Sequence, residues 1–333
     1  MLQVALIGYG YWGPNIGRNF NELEGARVAA VADLSEERRA AARRKLPGAR
    51  VLESAEEAIR DPEIDAVAVC TPLSSHYELA RMALEAGKHV LVEKPMTASS
   101  AEAQALVELA ERAGRVLMVD HTFCYHGAVR CIKKIIDRGD LGRIYYFDSV
   151  RINLGAFQAD TNVIWDLAPH DLSIMDYLLG AEPVAAAAHG VSHFGDRENV
   201  AYLYLEFKDK LIGHVHVNWL APVKVRQTII GGEKRMIIYD DLAYEDKVRV
   251  YDKGVSVESR EDVYKTLIKY RTGDMWAPQY EQQEALAVEC RHFLECIRTG
   301  SRPLTDGRAG LRVVKILEAA ARSMAEGGRM VKL

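Results

Sequence analysis

The chain is poor in cysteine. Its five residues, Cys70, Cys124, Cys131, Cys290 and Cys296, are odd in number and contain no CxxC pair. That spacing supplies neither a disulfide framework nor a zinc ribbon, so reduced thiols are expected, with Cys70 a small core residue in an apolar run. An excess of one charge is also lacking. Lys and Arg number 43 against 47 Asp and Glu, a formal net charge of −4, which excludes a protein held to nucleic acid by bulk counterion release. No stretch approaches the roughly 20 apolar residues of a membrane span. The opening MLQVALIG has no basic region or small-residue cleavage site, so a cytoplasmic protein with no membrane partner is expected. What the chain does have is apolar material: 49% of its 333 residues are hydrophobic, enough for a large core and, at roughly 100–200 residues per domain, for two domains.

Up to residue 120, short β-rich runs alternate with longer amphipathic stretches, the pattern of βαβ units feeding a parallel sheet covered on both faces. Strands are predicted at Leu2–Ile7, Arg27–Ala32, Ile64–Cys70, His89–Val92 and Val116–Val119, and helices at Pro14–Leu23, Glu36–Lys45, Ala55–Arg60, His76–Ala86 and Ser99–Ala113. Beyond His121 the texture changes. A helix over Ala128–Arg138 precedes alternating runs at Arg143–Asn153, Val200–Phe207, Leu211–Trp219, Arg226–Ile230 and Arg235–Tyr239. Turn signals at Lys208-Asp209-Lys210 and Gly231-Gly232 predict an open, largely antiparallel sheet. A polar segment, Asp240 to Pro278, leads to two closing helices, Glu281–Thr299 and Gly307–Glu326. The domains are placed at 1–121 and 122–333.

The first strand runs into Gly8-Tyr9-Gly10-Tyr11-Trp12-Gly13 and then a helix, a G-x-G-x-x-G loop in the strand–turn–helix context it requires. Gly8 allows the tight turn, Gly10 lets backbone approach a pyrophosphate, and Gly13 lets the helix pack close, while the helix N-terminus offers N–H groups to the anion. Tyr11 and Trp12 fill the loop. Asp33 follows about 20 residues later at the end of the second strand, where a carboxylate accepts hydrogen bonds from a ribose diol. The same carboxylate repels a 2′-phosphate, so NAD is expected in preference to NADP. Arg38 and Arg39 nearby read as a solvated helix face. The strand ends, Gly8, Asp33, Thr71-Pro72, Glu93-Lys94-Pro95 and Asp120-His121, form a row of polar or chain-bending groups on the edge where open α/β sheets bind ligands.

With Thr71-Pro72-Leu73-Ser74-Ser75-His76 and Glu93-Lys94-Pro95 joined to that glycine loop, nearly the whole chain resembles the Gfo/Idh/MocA family of NAD(P)-dependent sugar and polyol oxidoreductases. Gly300-Ser301-Arg302-Pro303 and Ala319–Ser323 are similar to the family's ending. The resemblance implies an α/β protein: an N-terminal Rossmann domain with a doubly wound parallel sheet, then a C-terminal α/β domain whose open, largely antiparallel sheet makes homodimer or homotetramer contacts. It implies a catalytic Lys94 touching substrate and nicotinamide, and Glu93 and His76 lining the nicotinamide half of the cofactor. Thr71 and Pro72 would stand beside the adenine and pyrophosphate, and Lys94–Pro95 would be cis. Asp166-Leu167-Ala168-Pro169-His170 resembles the family's D-x-x-x-H segment, which makes His170 the proton acceptor and Asp166 its partner. The segment departs from the family in Asn162–Trp165, in Ser173 and in Pro169. Because proline suits only the first helical turn, the helix is predicted to start near Ala168, with Asp166 outside it.

Oxidising a secondary alcohol requires a base near neutral pKa and a cation facing the developing alkoxide, tasks that suit His170 and Lys94. A spacing of four places Asp166 where it can orient the imidazole if both lie on one helix. Tyr125, Arg151, Asn153 and Trp165, assigned to the second domain, join Lys94 and His170 as candidate substrate contacts; core aromatics and strand-face charges are the alternative reading. Trp219 is expected on the open sheet face. Asp166, His170 and His126 lack compact metal-ligand spacing, so no metal is expected. The likeness of Arg151–Gly155 and Asn162–Gly180 to family members of surface-polysaccharide and amino-sugar pathways favours a nucleotide-linked hexose or aminohexose as the small-molecule substrate. Inositol or a free monosaccharide is the alternative. A non-catalytic NAD(H)-sensing regulator is a further one, against which intact Lys94, Asp166 and His170 argue.

Overall fold

In the computed structural model, which describes residues 1–155, 157, 161–256 and 269–333, six strands pair in parallel in the order β3-β2-β1-β4-β5-β6. They are β1 (Leu2–Ile7), β2 (Ala26–Ala32), β3 (Arg50–Leu52), β4 (Ala66–Val69), β5 (His89–Glu93) and β6 (Leu117–Asp120). Covered on both faces, β1 and β4 are continuous buried apolar runs, Val4 to Ile7 and Ala66 to Val69, as a parallel sheet demands. The strand order reverses between β1 and β4, which opens a crevice at their carboxyl ends. The intervening helices are α1 (Gly13–Glu22), α2 (Glu36–Lys45), α3 (Ala55–Arg60), α4 (His76–Glu85) and α5 (Ser100–Ala113). Ser35, Ser54 and Ser99 start α2, α3 and α5 by accepting the backbone N–H three residues on, caps worth about 1 kcal/mol each.

Two compact units divide the chain: Met1–His126 with Gln283–Glu318, and Gly127–Gln282 with Ala319–Leu333. The chain passes between them three times, not once near residue 121. Helix α8 (Ala285–Thr299) is counted with the first unit because its stripe of Leu286, Cys290, Phe293 and Leu294 is buried there, Phe293 meeting Phe20 of α1 edge-on at 6.2 Å.

The second unit holds α6 (Gly127–Asp137), α7 (Val163–Leu179) and a nine-stranded sheet; the last helix, α9 (Gly307–Ala325), runs from the first unit into it. The sheet comprises β7 (Ile144–Leu154), β8 (Ala185–Val191), β9 (Val200–Glu206), β10 (Ile212–Asn218), β11 (Leu220–Gly232), β12 (Met236–Asp240), β13 (Val248–Ser256), β14 (Lys269–Trp276) and β15 (Val331–Lys332). Their order is β14-β13-β12-β11-β7-β10-β9-β8-β15. Only β7 and β10 run parallel. Alternation sends Ala201, Leu203, Leu205, Val215 and Val217 to the core, while Tyr202 and Ile212 stay exposed on the opposite face. Trp219, expected on the open face, is instead only 1% exposed. Its indole N–H donates to Asp166 Oδ2 at 3.1 Å, a partner that holds the ring on the core side.

Helix α7 corrects the reading of Pro169. Its start lies at Val163, because the Asn162 side chain accepts the Trp165 N–H at 3.1 Å and caps the helix earlier. Pro169 therefore sits inside the helix and cannot donate to the Trp165 carbonyl, a penalty of about 3 kcal/mol. Burial of Val163, Ile164, Leu172, Ile174, Met175 and Leu178 offsets it, at about 1.5–3 kcal/mol for each fully buried side chain. Among the described residues no helix is long and apolar enough to cross a membrane.

Candidate active site

At the end of β1, Gly8 takes a φ of +93°, and a Cβ there would stand 2.6 Å from the Cys70 carbonyl oxygen. A Cβ on Gly13 would stand 2.3 Å from the Gly8 oxygen. These two glycines are required by the turn and by the close approach of α1. A Cβ on Gly10 meets nothing nearer than the Arg38 guanidinium at 3.6 Å, so the middle of the loop is open to a ligand, and the first N–H groups of α1 suit an anion there. Tyr11 is exposed and stacks on Trp12, with ring centroids 6.2 Å apart.

Asp33 is 8% exposed. One carboxylate oxygen accepts the Tyr9 N–H at 2.7 Å and the other the Ser35 N–H at 2.8 Å, which fixes its plane and leaves lone pairs for a diol. Arg38 lies 3.8 Å away. Arg39 turns elsewhere: it binds Glu36 and the carbonyls of Asp33 and Leu34, so it braces the strand end rather than forming a solvated face.

The Lys94–Pro95 bond is cis. Glu93 accepts the Lys94 N–H at 2.9 Å, and burial, followed by the neighbouring Asp120, pushes its carboxyl well above the usual range despite the opposing Lys94. His76, expected to line a nicotinamide, is 1% exposed and has both ring nitrogens engaged, Nδ1 at 2.9 Å from the Pro95 oxygen and Nε2 at 2.7 Å from the Thr71 oxygen. The ring is a brace between the two loops. Thr71 accepts from the Ser75 hydroxyl at 2.8 Å, and Pro72 leads into the short turn Leu73–Ser75.

Register pairs Glu93 with Asp120, so Lys94 and His121 leave adjacent strands at one level. His121 is absent from the candidates read from sequence. It is 1% exposed, and neither ring nitrogen has a hydrogen-bond partner among the described residues. Burial, against Asp120 and with Lys94, holds its pKa at about 4, so it stays neutral. Its only signal in sequence is its place in the row of polar strand ends. Trp12 Nε1 donates to Asp120 Oδ2 at 2.7 Å, a second link that sequence reasoning missed.

In the second unit, Asp166 and His170 lie one turn apart on the same face of α7, both half-buried. The His170 carbonyl accepts from Ser173 Oγ at 2.9 Å. Trp165 and Asn153 are half-buried in this unit. Two other substrate candidates are otherwise engaged. Arg151 is 4% exposed and forks onto Asp171, with Nε at 2.6 Å and Nη2 at 3.2 Å, and Ser149 Oγ adds a 2.7 Å bond. Burial works against the Arg151 charge, and Asp171 outweighs it. Tyr125 belongs to the first unit, where it is buried with its hydroxyl 3.2 Å from Thr305 Oγ1 and 3.9 Å from Met118 Sδ. Among the described residues no cluster of His, Cys, Asp and Glu could hold a metal ion.

Two family models match the chain. One, described as an oxidoreductase family with an NAD-binding Rossmann fold, covers residues 2–121, and the C-terminal alpha/beta domain of the same oxidoreductase family covers residues 133–333. The scyllo-inositol 2-dehydrogenase (NAD(+)) of Bacillus subtilis is 29% identical over 318 residues, 91% of this chain and 88% of that protein. The UDP-N-acetylglucosamine 3-dehydrogenase of Acidithiobacillus ferrooxidans is 28% identical over 316 residues, 94% of each chain. Its solved structure superposes with a TM-score of 0.81 at 26% identity, covering 98% of both chains. The aldose-aldose oxidoreductase of Caulobacter crescentus, solved with glycerol, has a TM-score of 0.83 at 26% identity over 100% of this chain and 99% of that one.

Proposed function

Because the chain belongs to the Gfo/Idh/MocA oxidoreductases, NAD(P)-dependent dehydrogenases acting on CH–OH groups of sugars and polyols, we propose that it oxidises a ring hydroxyl of a nucleotide-linked hexose or aminohexose and prefers NAD. The observation that carries the cofactor half is Asp33, whose carboxylate is held by two backbone N–H groups beside an open glycine loop. Full-length likeness to a UDP-N-acetylglucosamine dehydrogenase in sequence and fold supports the substrate class. Likeness to a scyllo-inositol dehydrogenase favours a cyclic polyol as the second reading.

Bound nicotinamide supplies the hydride acceptor. Gly8, Gly10, Tyr11, Trp12, Gly13, Thr71 and Pro72 hold the dinucleotide, and Asp33 takes the adenosine ribose. Glu93 and His76 set the Lys94–Pro95 bend, so that the Lys94 ammonium faces alkoxide charge as it develops. His170 takes the hydroxyl proton, and Asp166, steadied by the Trp219 indole, orients the imidazole. Trp165 and Asn153 join Lys94 and His170 against the substrate.

The test mixes purified protein with NAD or NADP and either UDP-N-acetylglucosamine or scyllo-inositol, following reduced-nicotinamide absorbance. Turnover of the nucleotide sugar with NAD, at least about tenfold faster than with NADP, is expected, since like charges brought together cost several kcal/mol. Asp33→Ala should narrow or reverse that ratio. Turnover of the inositol alone moves the assignment to the second reading, and no reduction with either substrate overturns both.

The open sheet face, with Tyr202 and Ile212 exposed, is proposed to pair copies into a homodimer or homotetramer. Light scattering at micromolar concentration checks this, and a monomer contradicts it.

A further inference from the structure

Trp12 belongs to the loop that follows β1, whereas Asp120 closes β6. The sheet order places β4 and β5 between those strands. Adjacent strands lie about 4.8 Å apart, so the three steps from β1 to β6 span about 14 Å. The indole Nε1–H nevertheless reaches Asp120 Oδ2 at 2.7 Å, a length in the charge-assisted range. The glycine loop and the Trp12 indole together therefore bridge from the end of β1 to the end of β6, along the edge on which an open α/β sheet places its ligand.

Asp120 is held from both sides. The Thr122 hydroxyl donates to its other oxygen, and the carboxyl as a whole is buried. Behind it stands Glu289 of α8, 0% exposed, with neither oxygen in hydrogen-bond geometry with any described residue. Its polar neighbours are Asp120 and Thr122. An ionised carboxylate without a partner at such a site is strongly disfavoured. Burial first, then Asp120 and Glu93, push the Glu289 carboxyl well above the usual range. That direction favours the protonated, uncharged form of Glu289 beside Asp120. The titratable groups facing this cluster include Glu93, His121, Tyr125, Cys70 and Cys290, with Lys94 beyond. Glu93 and the two thiols are also driven toward their neutral forms by burial, and His121 stays neutral for the same reason.

We infer that Asp120 is a positioning residue for the nicotinamide half of the cofactor: it pins the Trp12 indole at the carboxyl end of β6 as a fixed wall, and Glu289 backs it from α8. The inference rests on the dinucleotide reading of the glycine loop. Asp120 acts through Trp12, which makes the contact. Such a wall bears on the nicotinamide and not on the adenosine, whose ribose is assigned to Asp33.

That asymmetry defines the experiment. Calorimetric Kd values for NADH and for ADP-ribose, which lacks the nicotinamide, are measured on the full chain for wild type, Asp120→Leu, Asp120→Asn, Trp12→Phe and Glu289→Gln. Asp120→Leu and Trp12→Phe are expected to weaken NADH about five- to tenfold, the scale of one lost hydrogen bond, with ADP-ribose unchanged within about twofold. Asp120→Asn keeps an acceptor for the indole, and Glu289→Gln keeps an uncharged side chain of the same shape behind it, so both conservative variants should recover most of the NADH affinity. If Asp120→Leu does not fold, Trp12→Phe carries the test, because its Asp120 is intact. Unchanged NADH affinity in the folded variants overturns the inference, as does an equal loss of both ligands, which would mark a plain structural staple. A wild-type chain that binds neither ligand overturns the cofactor reading and this inference together.

Discussion

Replacing His170 or Lys94 by alanine is expected to lower kcat by about 10²-fold or more, the usual scale for a general base or a group facing developing charge, while dinucleotide affinity persists. The two variants separate in their pH dependence. A base must be unprotonated to accept the hydroxyl proton, so the wild-type rate falls as pH drops and His170 takes up a proton, and that acid limb disappears in His170→Ala. Lys94→Ala keeps the limb, because its loss removes charge stabilisation and leaves the base in place. Asp166→Asn is expected to have a similar or milder effect, since the proposed role of Asp166 is to orient the imidazole from one turn away on α7 and the Trp219 indole still finds an oxygen to bind. Steady-state kinetics with whichever proposed substrate turns over, between about pH 5 and 10, read all three. Near-normal kcat in His170→Ala would move the base elsewhere, with Lys94 the first candidate, and would discard this mechanism without disturbing the family assignment.

The second large effect is on stability. Asp171→Ala strips the Arg151 guanidinium of the carboxylate that binds two of its nitrogens, inside a region where Arg151 is almost fully enclosed. Breaking one side of a buried pair removes the main counter-charge of the other and destabilises by roughly 3–5 kcal/mol. The Ser149 hydroxyl loses its 2.7 Å acceptor as well. The urea midpoint of the second unit, followed by hydrogen exchange in β7 and α7, should drop sharply. A double replacement, Arg151→Met with Asp171→Leu, should recover much of the loss because it buries no charge. A midpoint for Asp171→Ala equal to wild type would show that the pair contributes nothing to holding α7 on the sheet.

Arg151 also illustrates where sequence reasoning stops. From the chain alone it is a cation near a strand end, equally suited to substrate or to structure. Its partner lies 20 residues away, and no local pattern announces the pair. Tyr125 is the same case at greater distance, since Thr305 is 180 residues on. The parallel strands were legible because burial on both faces leaves uninterrupted apolar runs, and the observed bounds of β1, β2, β5 and β6 differ from the predicted ones by at most one residue at either end. Strand β3, three residues long, is too short to display a period. Strand β8 reads Ala-Ala-Ala-Ala-His-Gly-Val, a composition whose local preference is helical and whose strand state is imposed by pairing with β9. In α7, the proline rule was outweighed by the Asn162 cap and by the apolar face behind it. The glycine loop, Asp33 and the Glu93-Lys94-Pro95 bend were readable as motifs because each depends on backbone geometry that a few residue types satisfy. Asp120, His121 and Glu289 were not, because their character comes from enclosure and from one another.

The His76 brace has a consequence for how the chain tolerates change. Both atoms it grips are main-chain oxygens, those of Thr71 and Pro95, and every amino acid carries such an oxygen. The two recognisable segments, Thr71 to His76 and Glu93 to Pro95, are therefore joined by one tie, and for that tie itself the imidazole is the chemically particular partner. A library randomised at 71 and at 76 and selected for stable folding, not for cofactor binding, should divide accordingly: many side chains survive at the first position, provided the turn still forms, while the second returns histidine almost alone.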